Sequence, residues 1–291
     1  MPGFWLVMNS FVLMVVGLSS LYLWLVALAG VKPIKRSKEA RILSRFAIAI
    51  AAYNEESVIG ATVANLRKLE YPVNSYDIFV VADNCSDSTA EIARREGATC
   101  LERFTTERSG KGAALRWLFE RIFEYSDYDA IVVFDADTKV SANFLQVMNN
   151  RLSSGTQVVQ GRHVISNPHR GWFPALAWAL MTIDCRLFSQ GRTNLGLSAR
   201  HMGDSICFRS NVIRDLGWGG GLTEDYEFRL KLLLDGICIF YEPNAKGYGQ
   251  AALTWAEAHS QRLRWARGVA DASQEFRCRL LTEESSAGIG V

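Results

Sequence analysis

From residue 46 to about residue 160 the chain alternates short apolar runs with amphipathic ones, and few folds accept that order. "FAIAIAA" (46–52), "YDIFVVAD" (76–83), "AIVVFDAD" (130–137) and the shorter "QVVQG" (157–161) read as strands. Between them, "ESVIGATVANLRKL" (56–69) places Ile59, Val63 and Leu66 on one helical face. "SDSTAEIARREG" (86–97) carries Ser88 and Glu91 at capping-box spacing and Gly97 as a stop. "GKGAALRWLFERIFEY" (110–125) and residues 141–153 are further helices. Such alternation predicts an α/β fold with a mostly parallel sheet flanked by helices. A hydrophobic content of 49% suffices for a sizeable core, and a net charge of +2 gives no reason to expect nucleic acid as a partner.

In open sheets of this kind ligands bind beyond the carboxyl ends of the strands. Three strands here end in polar clusters: Tyr53-Asn54-Glu55, Asp83-Asn84 and Asp135-Ala136-Asp137. Alternation along a strand would put Asp135 and Asp137 on one side. Facing carboxylates repel unless a cation sits between them, and Mg²⁺ typically takes one or two carboxylates together with phosphate oxygens. The competing reading is a pair of solvated loop acids. Thr223-Glu224-Asp225 follows three glycines and precedes a helix, where Asp225 also suits plain capping. Gln261, Arg264 and Trp265, at i, i+3 and i+4, share a helix face that suits a phosphate and a sugar ring, or else lies on a membrane.

"ERSGKGAAL" (107–115) is not a nucleotide-binding P-loop, because Thr105 and Gly112 stand where Gly and Ser/Thr are required. Lys111 remains a candidate point charge for a diphosphate. No G-x-G-x-x-G follows the first strand, which argues against a dinucleotide oxidoreductase. The six cysteines and four histidines show neither C-x-x-C nor H-E-x-x-H spacing and read as core or surface residues in a reducing compartment.

Residues 1–31 carry no charged side chain, and Lys32, Lys35, Arg36, Lys38, Arg41 and Arg45 come directly after them. The first stretch is long enough to cross a bilayer, which needs ~20 residues. The basic cluster predicts that the rest of the chain is cytoplasmic, making the protein a single-pass membrane protein with a cytoplasmic catalytic domain. Ala27-Leu28-Ala29 resembles a signal-peptide cleavage site, but the apolar run is long for that and no basic segment precedes it. A buried helix of a soluble core is the third reading. Residues 168–190, "PHRGWFPALAWALMTIDCRLF" in their main part, suit an interfacial helix or core equally.

The ordered set Tyr53-Asn54-Glu55, Asp83, Asp135-x-Asp137, Thr223-Glu224-Asp225 and Gln261-x-x-Arg264-Trp265 resembles the family 2 glycosyltransferases of the membrane-bound, cellulose-synthase-like and exopolysaccharide-synthase-like group. The resemblance covers roughly residues 46–268. It implies a GT-A fold and inverting transfer from a nucleotide sugar, usually a UDP-sugar, to a glycan or lipid-linked acceptor. It also implies roles. Tyr53 and Glu55 would line the uridine site, and Asp83 would contact base or ribose. Asp135 and Asp137 would hold Mg²⁺ or Mn²⁺ on the diphosphate, with Lys111 a further contact. Asp225 would be the general base. Glu224, Gln261, Arg264 and Trp265 would serve the acceptor and diphosphate. The expected organisation is a transmembrane helix (1–31), a basic linker (32–45), the GT-A domain (46–273) and a tail (274–291). Two departures stand out. Ala82 precedes Asp83 where many relatives carry two acids. The membrane helices that come after Q-x-x-R-W in processive relatives are absent from this sequence, which leaves open a non-processive enzyme, a separate membrane subunit, or a truncated or inactive scaffold. A sugar-nucleotide pyrophosphorylase is the enzyme alternative, disfavoured because "AIAAYNEES" lacks a Gly-rich basic loop.

Overall fold

The structure is a computed structural model that describes residues 2–106, 110–221 and 223–283. Residues 107–109 of the Lys111 stretch, Leu222 and the tail from 284 lie outside the described residues, as does the Cys278 side chain.

Eight strands form one sheet: β1 (Phe46–Ala52), β2 (Tyr76–Asp83), β3 (Thr99–Arg103), β4 (Ala130–Asp135), β5 (Lys139–Val140), β6 (Val158–Ile165), β7 (Ile206–Arg209) and β8 (Ile239–Gly249). Their order is β3-β2-β1-β4-β7-β6-β8-β5. The run β3-β2-β1-β4 is parallel. β7 then runs antiparallel to both β4 and β6, β6 and β8 are parallel, and β5 returns antiparallel. The sheet is therefore mixed; in its parallel half β1, β2 and β4 are the strands that read as apolar runs, while the edge strand β3 (TCLER) had no such pattern.

Both faces are covered. On one, Ile48, Ile50, Val132 and Phe134 pack with Ile59, Val63 and Leu66 of α2 (Ile59–Leu66) and Phe144 and Met148 of α5 (Phe144–Leu152). On the other, Ala49, Val81, Ile131 and Val133 pack with Leu115, Leu118 and Phe119 of α4 (Gly110–Tyr125) and Phe228 of α9 (Glu224–Leu234). α3 (Thr89–Arg95) does not use the expected capping box, because Ser88 makes no side-chain cap bond. Asp87 takes the role instead: its Oδ1 accepts from the Thr89 N–H at 3.0 Å. Glu56 Oε2 accepts from the Ser88 N–H at 3.0 Å. Cys100, Cys185 and Cys207 are buried, as scattered core residues should be.

α1 (Pro2–Val31) is a single helix, and Phe4–Val31 is apolar and long enough to cross a membrane. Its C-terminal end is docked. A Cβ on Gly191 would collide with the Val26 carbonyl, and one on Gly30 with the Leu187 backbone. The helix's orphan carbonyls are capped from the same place. Gln190 Nε2 donates to Gly30 O at 2.6 Å, and Asn194 Nδ2 to Ala29 O at 2.9 Å. The residues doing this belong to α7 (Gln190–Asn194), which continues α6 (Trp172–Ile183) through a π-helical turn at Asp184–Ser189. α6 is only partly core: Phe173 and Pro174 are buried and Met181 packs on the core, while Trp172, Leu176, Trp178, Leu180 and Ile183 are exposed. The basic linker is strapped to the domain, with Ser44 N–H on Asn149 Oδ1 (3.0 Å) and Ala40 N–H on Asn150 Oδ1 (2.9 Å). α8 (Ser210–Leu216) follows β7, and α10 (Trp255–Glu283) runs on past residue 273.

Candidate active site

The acid pair is brought together by a turn rather than by strand alternation. β4 stops at Asp135, Ala136 and Asp137 form a turn, and Thr138 N–H closes it on Asp135 O at 3.2 Å. Thr62 Oγ1 pins the turn by donating to Ala136 O at 2.8 Å. Burial raises the Asp137 pKa, and the charges of Asp135 and Asp204 raise it further. Burial likewise raises the pKa of Asp135, against the pull of Lys111.

Lys111 stands across this site in the first turn of α4. Its ammonium pairs with Asp135, reaches Glu224 at 3.7 Å and donates to Gly203 O at 2.8 Å. Burial works against its charge, but Asp135 and Glu224 more than offset that and its pKa is pushed up. Gly112 makes the arrangement possible, since a Cβ there would lie 2.7 Å from Glu224 Cβ and 3.0 Å from Gly219 O. The glycine that rules out a P-loop thus lets α4 approach α9. Glu224 is buried, which raises its pKa, with Lys111 opposing.

Two further residues at this site had no signal in sequence spacing. His163, on β6, shares its Nδ1 with Asp204 Oδ2 at 3.1 Å. Asp204 also accepts from the Asp135 N–H (3.1 Å) and the Ser205 hydroxyl (3.0 Å). Burial disfavours charge on both, yet the pairing wins: the His163 pKa is raised and the Asp204 pKa lowered. They lie about forty residues apart in sequence and meet only across the β6–β7 pairing. His201 is the third unexpected group. Its Nδ1 accepts from the Gly203 N–H at 3.0 Å, its Nε2 is buried without a partner, and burial pushes its pKa down to about 4.

No group of three or more His, Cys, Asp or Glu among the described residues is arranged to hold a metal. The chemistry of the donors nevertheless suits a hard divalent cation. The Asp135 charge raises the cost of ionising Asp137, which a cation would relieve. His163 beside them is oriented by a carboxylate, the usual outer-shell device for a ligating imidazole.

A cavity of about 730 Å³ extends from this cluster. Lys111, Asp135, Asp137, Glu224 and Asp225 line one end, and Gln261, Arg264 and Trp265 of α10 line its wall. Eight of the expected site residues therefore share one space. The other three stand at the ends of β1 and β2, outside that lining. Glu55 is close enough that, after burial, Asp137 and Asp135 raise its pKa. Its N–H donates to Thr89 Oγ1 at 2.8 Å. Asp83 is buried with Oδ1 held by Arg103 at 2.6 Å. Tyr53 is partly exposed, beside Asn54 in the left-handed conformation (φ 53°) that Asn tolerates.

A family model described as "Glycosyltransferase like family 2" matches residues 44–268. The chain is 31% identical over 233 residues to a beta-monoglucosyldiacylglycerol synthase of Trichormus variabilis, covering 76% of this chain and 48% of that protein. It is 28% identical to a poly-beta-1,6-N-acetyl-D-glucosamine synthase of Staphylococcus aureus, covering 75% of this chain and 53% of that one. The chain thus spans about half the length of the curated relatives it matches. Among solved structures, the mannosyltransferase PcManGT of Pyrobaculum calidifontis, in complex with GDP-Man and Mn²⁺, has a TM-score of 0.71 at 17% identity, covering 92% of this chain and 74% of that one. That likeness is one of fold, and the fold is GT-A.

Proposed function

The chain belongs to glycosyltransferase family 2, and on that premise we propose that it moves a sugar from a UDP-sugar to a hydroxyl of a saccharide or lipid-linked acceptor, inverting the anomeric centre. The observation that carries this is the convergence of Asp135, Asp137, Asp225, Arg264 and Trp265 on one cavity. The named activities of the two relatives, one a glycolipid synthase and one a polysaccharide synthase, support a cell-envelope acceptor. The solved neighbour holds a GDP-sugar, so the choice of base is what a donor panel decides.

Each residue has a distinct task. Asp225, in the first turn of α9, takes the acceptor hydroxyl's proton; inversion needs one base opposite the leaving group. Arg264 and Lys111 offset charge on the departing diphosphate. Trp265 offers a ring for the sugar to stack on. Tyr53, Glu55 and Asp83 hold the nucleoside, and Glu224 and Gln261 orient the acceptor end. Asp135 and Asp137 would hold Mg²⁺ or Mn²⁺, which when bound supplies electrostatic stabilisation to the leaving group. Lys111 would then shift from Asp135 toward Glu224, already 3.7 Å away. α1 anchors the chain, and the basic residues after it set the domain on the cytoplasmic side.

The test is release of UDP or GDP from a panel of UDP-sugars and GDP-sugars by membranes carrying the chain, with Mn²⁺ or Mg²⁺, beside D137A. Metal-dependent release with one sugar, absent from D137A, is the expected result. Equal release by D137A would remove the metal assignment.

A further inference from the structure

We infer that the end of the cleft nearest α1 binds a phosphate-bearing membrane lipid, its phosphate on Arg200 and Arg229 and its chains along α6. This rests on α1 spanning the bilayer and on the cleft being the transfer site.

The level of the site comes from lengths. The 28 residues Phe4–Val31 make a helix of about 42 Å, against about 30 Å of hydrocarbon. The surplus is about 12 Å, some eight residues. That matches the C-terminal part of α1, where Val26 and Gly30 are docked against α7 and the π-helical turn. α6 and α7 therefore lie at headgroup depth. There the exposed face of α6, with Trp172 72% accessible, would be stabilised by contact with lipid.

Charge then selects the lipid. Arg192 lies over the Tyr22 ring of α1, 5.9 Å from its centroid. Arg229 is half-buried on α9; burial lowers its pKa, and the neighbouring cations Arg192 and Arg200 lower it further. The ion pair that this group makes among the described residues is a loose one, Arg200 to Asp184 at 3.9 Å. Guanidinium groups gathered with so little counter-charge call for an anion, and phosphate accepts from several at once. Arg200 and Arg229 line the same cavity as Asp225, and Phe173, Leu180, Met181 and Phe188 form its apolar wall. A neutral lipid would leave the cations uncompensated. A free phosphate would leave the wall unused.

The experiment measures lipid retained by the full chain, purified in mild detergent, by native mass spectrometry. Phosphatidylglycerol is offered against diacylglycerol of the same acyl chains. The expected result is a preference of about tenfold or more for phosphatidylglycerol, lost in the R200Q/R229Q double variant. Equal retention of the two lipids, or an unchanged preference in the variant, would overturn the inference. Displacement by millimolar inorganic phosphate would show that the chains contribute nothing and would overturn the lipid assignment. The single variant R229K, which keeps the charge, guards against misfolding and should retain most of the preference. UDP binding on the same samples tests the transfer reading separately. Its absence, with the lipid preference intact, would support the lipid site while removing the transferase assignment.

Discussion

The two ends of the cleft handle charge in opposite ways. At the sheet end, Asp135, Asp137, Asp204 and Glu224 crowd together, and the protein supplies its own cations, Lys111 to Asp135 and Glu224 and His163 to Asp204. Asp204 is further fixed by the Asp135 N–H and the Ser205 hydroxyl. At the α6 end, Arg200 has one loose acidic contact, to Asp184 at 3.9 Å, and Arg229 makes no ion pair among those described. At the first end Asp135, Glu224 and Asp204 have cation partners before any ligand arrives and Asp137 has none among the described ion pairs, so a metal drawn to the acid pair would compete with Lys111 for Asp135. The second is left positive, so an anion entering it displaces nothing. Asp225 stands between them, four residues before Arg229 on α9.

The comparison breaks first at Asp225. If this carboxylate serves the acceptor and neither charge cluster, D225N should lower turnover by about 10³-fold while leaving UDP binding intact. Steady-state UDP release and equilibrium UDP binding on the same preparation would check it. Turnover within tenfold of wild type would remove Asp225 from the base role.

Matched removals at the two ends give a smaller and more diagnostic effect. K111M strips counter-charge from two carboxylates and should cost about 1–3 kcal/mol, less than a fully buried pair would. The discount reflects side chains of Lys111 and Asp135 that are 28% and 44% exposed. Mn²⁺ should restore part of the loss, because Asp135 is then free to take it. R229M removes repulsion instead, and thermal melts should show its Tm unchanged or raised. A fall in both variants of similar size would mean that the ends are not electrostatically different.

The parallel half of the fold was legible because its signals are local. β1, β2 and β4 are apolar runs set between helical patterns, and α2 buries the expected Ile59, Val63 and Leu66. β7 and β8 gave no such signal. They are held by pairing with partners distant in sequence, and β8 carries polar residues such as Glu242, satisfied by Arg151 at 2.6 Å. The site divides the same way. Asp135, Asp137, Asp225, Gln261, Arg264 and Trp265 announced themselves as short motifs and do share a cavity. His163 and Asp204 meet only because β6 and β7 are adjacent, and a lone histidine in a sequence carries no address. The acid pair was anticipated for the wrong reason, since a turn and not the pleat of a strand aims Asp137.

The smallest expected effect concerns His201, which feels groups from both ends. It is buried beside Phe208 and Trp218, with ring centroids 5.7 and 6.3 Å away. Burial lowers its pKa to about 4; Asp225 opposes the shift, and Lys111 and Arg229 reinforce it. In the unfolded chain the same imidazole titrates near 6.5. A depressed folded pKa means that the stability His201 contributes is present above 6.5 and is lost as pH falls through that value toward 4. H201F should abolish this portion of the acid limb, at the cost of about 1 kcal/mol for the acceptor lost to the Gly203 N–H. The raised pKa values of Asp137 and Glu224 act in the opposite sense, but they are common to both proteins. The difference between wild-type and H201F unfolding free energies at pH 7 and pH 5 therefore isolates His201. Parallel pH profiles would show that its proton is not what couples the two ends of the cleft to acid.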